Sequence, residues 1–193
     1  MDNDKPAGGK IILINGCSSS GKTTLSEQVQ SCLETQKGQE YMICSLDRFH
    51  RMLPEGVRAK DRSFSPVWTP LIYGYHRSVN AFAGLGMNII MDHILSRKDR
   101  VVDFLKTFKN FDVTLVGLVC SLKELEKREG KRKSRENGLA KWQFNRIHNG
   151  LEYDILVDTG SYSIHECTGY ICRKLDDPGQ GDAFKNLIET YKL

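Results

Sequence analysis

The chain has 193 residues, of which 39% are hydrophobic and 27% are charged, and its formal net charge is +4 at pH 7. This composition is typical of a soluble globular protein, and the length suits one domain with a substantial core. No apolar run is long enough to cross a bilayer and the start lacks a secretory signal, so we expect a cytoplasmic protein without a membrane partner. The weak positive charge suits an anionic small molecule and gives no reason to expect nucleic acid.

Six cysteines are scattered along the chain without a C-x-x-C pair. This pattern favours buried, reduced thiols over a disulfide framework. No spacing of His and Cys is typical of zinc, and the five histidines form no H-E-x-x-H motif. The composition leaves the oligomeric state open between a monomer and a homo-oligomer.

Apolar, strand-sized runs alternate with amphipathic helical segments along the chain. The predicted strands are 10–15, 41–46, 87–91, 113–120 and 153–157. The predicted helices are 24–35, 70–85, 98–109, one after Ser121, 139–149, one from Ser161 or Ser163 to about Leu175, and a short one in the tail. This order predicts an α/β fold of three layers, in which a parallel five-stranded sheet carries helices on both faces. We expect a flexible terminus over 1–9 and a single domain over 10–193.

The most informative motif lies between the first strand and the first helix. Residues 16–23 read Gly-Cys-Ser-Ser-Ser-Gly-Lys-Thr and fit the phosphate-binding pattern G-x-x-x-x-G-K-[ST] in its required strand–loop–helix context. The side chain of Lys22 is expected to reach the β- and γ-phosphates of ATP, and the hydroxyl of Thr23 to bind Mg²⁺. The predicted nucleotide-binding residues of this loop are Gly16, Cys17, Ser18, Ser19, Ser20, Gly21, Lys22, Thr23 and Thr24.

Two carboxylates follow predicted strands, at the sheet edge where parallel sheets bind ligands. Asp47 follows the second strand, where it could take a proton from an attacking hydroxyl or cap a helical turn over 48–53. Asp92 follows the third strand in the Walker B pattern, an apolar strand ending in Asp, and could hold Mg²⁺ directly or through water. We predict that both carboxylates face the phosphate loop.

The densest basic run is 123–135, and two interpretations of it are open. It could be a solvated charged helix. It could also be a lid over about 128–138, since Arg128, Arg132 and Arg135 share one face of a helix and arginines stabilise a phosphoryl group in transfer. Aromatic residues elsewhere could line a substrate pocket or serve as packing, namely Phe64, Trp68, Tyr73, Tyr75 and Phe82.

The motifs together resemble one known family over residues from about 10 to 174. The most specific parts are Arg128-Glu129-x-x-Arg132-x-x-Arg135, Gly138-Leu139-Ala140, and the run from His148-Asn149-Gly150-Leu151-Glu152-Tyr153-Asp154 to Val157-Asp158-Thr159. With the phosphate loop and the two carboxylates, they are similar to the chloramphenicol phosphotransferase-like kinases.

The resemblance implies an ATP-dependent O-phosphotransferase with a fold like that of nucleoside monophosphate kinases. It implies that Asp47 takes the proton from the acceptor hydroxyl of a small molecule and that Arg132 and Arg135 clamp the phosphate in transfer. With Lys22, these are the predicted catalytic residues, and Arg128 is expected to stack on the adenine. The chain departs from the family pattern over 53–74, where the family builds much of its acceptor pocket.

Two other functions remain open on the sequence. The first is a nucleoside, nucleotide or toxin-type sugar-nucleotide kinase, which would need anion-binding arginines around Asp47, and Arg48, Arg51 and Arg58 are candidates. The second is a nucleotide-binding switch module without transfer activity. A GTPase would need an N/T-K-x-D motif to recognise the base, and the sequence has none.

Overall fold

A computed structural model describes residues 8–58, 66–131, 138–178 and 181–193. Its strands are β1 (Ile11–Gly16), β2 (Met42–Ser45), β3 (Ile89–His93), β4 (Val113–Val119) and β5 (Ile155–Asp158). Its helices are α1 (Lys22–Lys37), α2 (Leu46–Arg51), α3 (Glu55–Arg58), α4 (Trp68–Gly84), α5 (Lys98–Phe108), α6 (Leu122–Gly130), α7 (Leu139–Phe144), α8 (Ile164–Lys174) and α9 (Asp182–Tyr191). The predicted alternation of strands and helices is confirmed.

The five strands form one parallel sheet in the order β2-β3-β1-β4-β5. The central strand β1 is buried along its whole length, as expected for a parallel strand covered on both faces. Asn15 of β1 pairs with His93 of β3, and Gly16 pairs with Leu118 of β4. Because the strands run in one direction, the end of β1 and the ends of its neighbours lie at the same edge of the sheet.

Each face of the sheet has its own hydrophobic core. One core lies under α4, α5 and α9 and contains the fully buried rings of Tyr75 and Phe104. The other lies under α1 and α8 and contains Leu25, Val29 and Ile171. Helices on both faces confirm the predicted three-layer α/β fold, with a phosphate loop at the carboxyl edge of its central strand.

The tail after α8 packs against the first of these cores. Phe184 and Leu187 of α9 are buried there, and the ring of Phe184 meets Phe104 edge to face. The carboxylate of Asp154 accepts hydrogen bonds from the backbone N–H groups of Gly181 and Ala183 at 2.9 and 3.0 Å. The amphipathic tail segment is therefore part of the domain. Within the described ranges, the structure has no helix with the length and hydropathy of a membrane span.

The predicted bounds of the second and third strands are wrong. The second strand stops at Ser45, and Asp47 lies in the first turn of α2, where a carboxylate interacts favourably with the helix dipole. The third strand begins at Ile89 instead of residue 87, because Gly86 turns the chain with φ of +90°. At the carboxyl end of this strand, Asp92 lies inside β3 because the strand continues to His93.

Two other segments also differ from the sequence prediction. The segment 54–66, predicted as a loop, contains the short helix α3, which begins directly after Pro54, and residues 59–65 lie outside the described ranges. The predicted helix 139–149 ends at Phe144. After Phe144 the hydrogen bonds change to the tighter 3₁₀ pattern, in which the N–H of Arg146 donates to the carbonyl of Gln143 at 2.8 Å.

Candidate active site

An open cleft of about 510 Å³ lies at the carboxyl edge of the sheet, beside β1 and β3. One wall is the phosphate loop with the start of α1, which Asp92 of β3 contacts, and a second wall comprises lining residues of α2 and α4 with His93. Its lining residues are Ser19, Gly21, Lys22, Thr23, Thr24, Ser45, Leu46, Asp47, Trp68, Asp92, His93 and Ile94. The structure thus brings the predicted catalytic residues Lys22 and Asp47 and the predicted metal ligands into one cleft.

The phosphate loop owes its shape to two glycines and one strained serine. A Cβ at Gly16 would lie 2.8 Å from Ser20 Oγ and 2.9 Å from Leu118 Cβ, so only glycine fits there. Gly21 has φ of +94°, and Ser19 has the left-handed φ of +65°, which is uncommon for a residue with a side chain. Such local strain is typical of a loop shaped for a ligand.

The loop leaves polar groups without protein partners. Gly21 precedes α1 and offers no side-chain cap, so the first N–H groups of this 16-residue helix face the loop. The hydroxyls of Ser19 and Ser20 are buried, and neither has a hydrogen-bond partner in the described part of the chain. Unpaired donors at the positive end of a helix dipole favour an anion such as a phosphate.

Distant segments fix the backbone of this loop. The side-chain oxygen of Gln143 in α7 accepts a hydrogen bond from the N–H of Ser18 at 2.6 Å. The hydroxyl of Thr159, just after β5, donates to the carbonyl of Ser20 at 2.8 Å. The loop conformation therefore depends on residues far along the chain.

The ammonium of Lys22 lies within the loop that carries it. Its Nζ donates to the carbonyl oxygens of Gly16 and Cys17 at 2.9 and 2.7 Å, and the residue is 8% exposed. Burial raises the pKa of the neighbouring Cys17 thiol to about 11, even though the charge of Lys22 opposes this shift. Cys17 is therefore a thiol at neutral pH and not an activated nucleophile.

The two predicted metal ligands are in direct contact. The hydroxyl of Thr23 donates to Asp92 Oδ2 at 2.8 Å, and the hydroxyl of Ser45 donates to the same oxygen at 3.3 Å. Asp92 is 6% exposed. A carboxylate and a hydroxyl in contact at the start of α1 are the hard oxygen donors that Mg²⁺ prefers.

Asp47 also lines the cleft, on the wall that contains α2. It lies in the first turn of α2, which packs on α4 through the ring pair of Phe49 and Tyr75, whose centroids are 5.1 Å apart. The next contact along these helices joins the rings of His50 and Trp68 at 5.3 Å. The short helix α2 is thus held against the core, with Asp47 in the lining of the cleft that the phosphate loop also lines.

A polar network that is buried except at Arg77 links α4, α5 and the end of β3. Asp103 of α5 receives two hydrogen bonds from the guanidinium of Arg77, at 2.8 and 2.6 Å, and lies 2.6 Å from Nδ1 of His76. Burial alone would raise the pKa of Asp103, but the hydrogen bonds from His76 and Arg77 outweigh it and lower that pKa to about 2. Burial lowers the pKa values of His76 and His93, whose Nε2 atoms lie 2.9 Å apart.

The predicted lid is described only at its two ends. Arg128 lies on α6, where it bonds to Glu124 Oε1 and the carbonyl of Thr159 at 3.0 and 2.7 Å and does not line the cleft. Glu129 accepts from the N–H groups of Gly138 and Ala140 at 2.8 and 3.0 Å, which ties the end of α6 to the start of α7. The predicted catalytic residues Arg132 and Arg135 lie outside the described residues, and the roles of all three arginines stay predictions.

Sequence reasoning missed several residues of this site. His93 follows Asp92 directly, and its pairing with His76 has no local sequence signal. Gln143 and Thr159 support the phosphate loop from positions with no periodic relation to it, although Thr159 ends the most specific resemblance motif. Of the aromatic residues considered, Trp68 lines the cleft, Tyr75 belongs to the core and Phe82 is 40% exposed.

Comparison with known proteins places the chain in a family. It matches the family described as "Chloramphenicol phosphotransferase-like protein" over residues 9–176. The chain belongs to this family. Membership confirms the resemblance of the sequence motifs and, with the fold, supports a phosphotransferase or kinase that binds a nucleotide at its phosphate loop.

Relatives and solved structures agree with the family. A protein from two strains of Mycobacterium tuberculosis, named "Putative O-phosphotransferase", is 27% identical over 180 residues, covering 82% of this chain and 78% of the relative. The APS kinase CysC of Mycobacterium tuberculosis has a TM-score of 0.68 at 17% identity, covering 89% of this chain and all of that one. A sugar kinase from Janibacter sp. HTCC2649 has a TM-score of 0.64 at 21% identity, covering 87% and 95%. These structures show the P-loop kinase fold.

Proposed function

We propose that this protein transfers the γ-phosphoryl group of ATP to a hydroxyl group of a small molecule. One observation carries the proposal: Asp47 and the phosphate-loop residues Lys22 and Thr23 line the same cleft. A phosphate donor and a base for the acceptor hydroxyl must be within reach of each other in such a transfer.

The donor side would hold the triphosphate. The loop N–H groups and the start of α1 bind phosphate oxygens, and the ammonium of Lys22 turns from loop carbonyls to the β- and γ-phosphates. Mg²⁺ would be held by Thr23 and Asp92, whose oxygen donors fit it, and would neutralise charge on the phosphates when bound.

The acceptor side would supply the base. The acceptor oxygen forms a bond to the γ-phosphorus, the bond from that phosphorus to the β–γ bridging oxygen breaks, and ADP leaves. The hydroxyl proton passes to the carboxylate of Asp47. Arginines of the segment 128–138, above all Arg132 and Arg135, would stabilise the transferring phosphoryl group.

A nucleotide or sugar-nucleotide kinase remains the alternative, and the cleft gives it less support. Among the described residues that line the cleft, Lys22 is the cation, and no arginine is among them. An acceptor that carries its own phosphate would need cations on the Asp47 side. The described lining therefore favours an acceptor without a phosphate.

The proposal is tested by an ATP-consumption screen over antibiotics, sugars, polyols and nucleosides, with mass spectrometry of any product. We expect a phosphorylated hydroxyl compound, and a fall in its turnover of about 100- to 10,000-fold in Asp47→Asn with ATP affinity unchanged. Asp99→Asn, a surface carboxylate on α5, is the control. ATP binding without transfer to any compound would favour the switch module, and full activity of Asp47→Asn would exclude Asp47 as the base.

A further inference from the structure

Ser45 is the last residue of β2 and occupies the N-cap position of α2. A serine at this position usually accepts a hydrogen bond from a backbone N–H group in the first turn of the helix. Ser121 and Ser163 do so at the starts of α6 and α8, where each accepts from the N–H group three residues later. Ser45 has the same extended backbone but makes no such bond. Its hydroxyl is therefore available for a different contact.

That contact is with Asp92 on the neighbouring strand. Ser45 and Asp92 are register partners in the parallel pair of β2 and β3, so their side chains lie on the same face of the sheet. The hydroxyl of Ser45 donates to Oδ2 of Asp92 at 3.3 Å. Both residues are buried, and both line the cleft. The serine that does not cap α2 thus contacts a predicted metal ligand.

The hydrogen-bond donors to Asp92 are distributed unevenly over its two oxygens. Thr23 donates to Oδ2 at 2.8 Å from the start of α1, and Ser45 donates to the same oxygen from β2. Among the described residues, no donor contacts Oδ1. No cation of the same residues forms an ion pair with Asp92. The two hydroxyls therefore hold the carboxylate through one oxygen and leave the other without a protein donor.

A buried carboxylate without an ion pair costs free energy that a bound cation recovers. Mg²⁺ that binds with a nucleotide keeps several waters and takes its other ligands from phosphates and one or two carboxylates. The described part of the chain has no group of three or more His, Cys, Asp or Glu side chains that could hold a metal ion. With so few ligands from the protein, the affinity for the metal depends on how the carboxylate is oriented.

We propose that Ser45 is a positioning residue for Mg²⁺ binding. Together with Thr23, its hydroxyl fixes the carboxylate of Asp92 through Oδ2, which keeps Oδ1 for the metal ion or for one of its water ligands. This inference rests on the Mg²⁺–ATP site of the function proposed above. Ser45 then contributes to the affinity for the nucleotide with Mg²⁺ and not to the affinity for the nucleotide alone. A serine that only supported the fold would change both affinities alike or neither.

The first test separates the metal from the nucleotide. Isothermal titration of the full chain uses ADP, which has no γ-phosphoryl group to transfer, once with Mg²⁺ and once with EDTA. In Ser45→Ala, we expect the affinity with Mg²⁺ to fall about 10-fold and the affinity in EDTA to stay unchanged. Ser163→Ala, which removes the cap of α8, should lower the resistance to denaturant and change neither affinity. Equal affinities of Ser45→Ala and the native protein with Mg²⁺ would overturn the inference.

The second test uses two side chains of nearly equal shape. Ser45→Thr keeps a hydroxyl that can donate to Asp92, whereas Ser45→Val has a methyl group in its place. Because both variants add a similar volume at this buried position, a change in packing is common to them. We expect Ser45→Thr to bind ADP with Mg²⁺ more tightly than Ser45→Val does, with equal affinities in EDTA. If the two variants bind equally in the presence of Mg²⁺, the hydroxyl has no part in metal binding and the inference is wrong.

A double-mutant cycle tests whether Ser45 acts through Asp92. Asp92→Ala removes the carboxylate, and we expect Ser45→Ala to have little further effect on the Mg²⁺-dependent affinity in that background. Fully additive effects of the two substitutions would contradict the proposed role.

These measurements need no acceptor, so they separate this inference from the proposed function. If the Mg²⁺-dependent affinity falls in Ser45→Ala but no hydroxyl compound is phosphorylated in the wider screen, the inference stands and the proposed transfer fails. If a phosphorylated product forms but Mg²⁺ binding does not depend on Ser45, the inference fails and the proposed function stands.

Discussion

The two walls of the cleft are built by different means. The donor wall of the proposed function is a continuous loop and helix start, residues 16–24, which offers mostly backbone N–H groups in a fixed conformation. The acceptor wall is assembled from side chains on α2, α4 and β3, behind which α5 supports the histidine pair. Backbone donors suit a triphosphate, which is a ligand shared by a whole class of enzymes. Side chains can differ between related enzymes that bind different acceptors.

The largest effect is expected on the donor wall. Lys22→Ala removes the cation that would bind the β- and γ-phosphates, and we expect ATP affinity to fall about 100-fold or more and turnover to be lost. Isothermal titration with ATP and Mg²⁺ measures the affinity, and Lys185→Ala on the exposed face of α9 is the control. An unchanged affinity would mean that the donor wall does not depend on this ammonium.

The next effect tests the acceptor wall as a folded structure. Asp103→Ala leaves the buried His76 without its acceptor, and we expect the free energy of unfolding to fall by about 2–3 kcal/mol. Asp99 on the same helix forms an exposed ion pair with Arg97. Asp99→Ala should therefore lower the free energy of unfolding by less than about 0.5 kcal/mol. Chemical denaturation measures both values, and equal costs would show that the buried network adds no stability to this wall.

The histidine pair makes the acceptor wall sensitive to pH. The folded protein holds His76 with a pKa below its usual 6.5, so the unfolded chain binds more protons below that pH and stability falls as the pH falls. His76→Gln removes this group, so the loss of stability between pH 7.5 and 5.5 should be smaller in the variant than in the native protein. If the free energy of unfolding changes with pH equally in the native protein and in His76→Gln, then His76 titrates alike in the folded and unfolded states.

A smaller effect tests how the donor wall is held in shape. Thr159→Val removes the hydroxyl that donates to the carbonyl of Ser20 and keeps the side-chain volume, and we expect a stability loss of about 1 kcal/mol and a weaker affinity for ATP. Thr35→Val, which removes an exposed hydroxyl within α1, is the matched control. An ATP affinity equal to that of the native protein would show that the loop keeps its conformation without this bond.

The sequence predicts the donor wall well because its information is local. A buried strand, two glycines, a lysine and a helix follow one another within 10–37, and the structure has this order. The parallel sheet also follows from the alternation of apolar strands and amphipathic helices. The bounds of the second and third strands are wrong by two residues or fewer, because α2 begins at Leu46 and Gly86 turns the chain before the third strand.

The acceptor wall is predicted only in part. The place of Asp47 in the cleft lining could be predicted because it follows a strand, whereas its catalytic role stays a prediction. The pairing of His93 with His76 joins two elements that no periodicity relates. Their hydrogen bond depends on how α4 packs on the sheet, and the partner of His76 comes from a third element. Contacts between side chains of distant elements cannot be predicted from the local patterns of a single sequence.

The bond from Thr159 to Ser20 has a consequence for how the chain acquires its binding loop. It joins positions 139 residues apart, and Thr159 follows the strand that is last in the sequence and lies at one edge of the sheet. Contacts of such long range form late, since closing the intervening chain costs entropy. A chain that emerges from the ribosome therefore carries its phosphate-binding motif early but completes the loop only after nearly the whole domain has been synthesised.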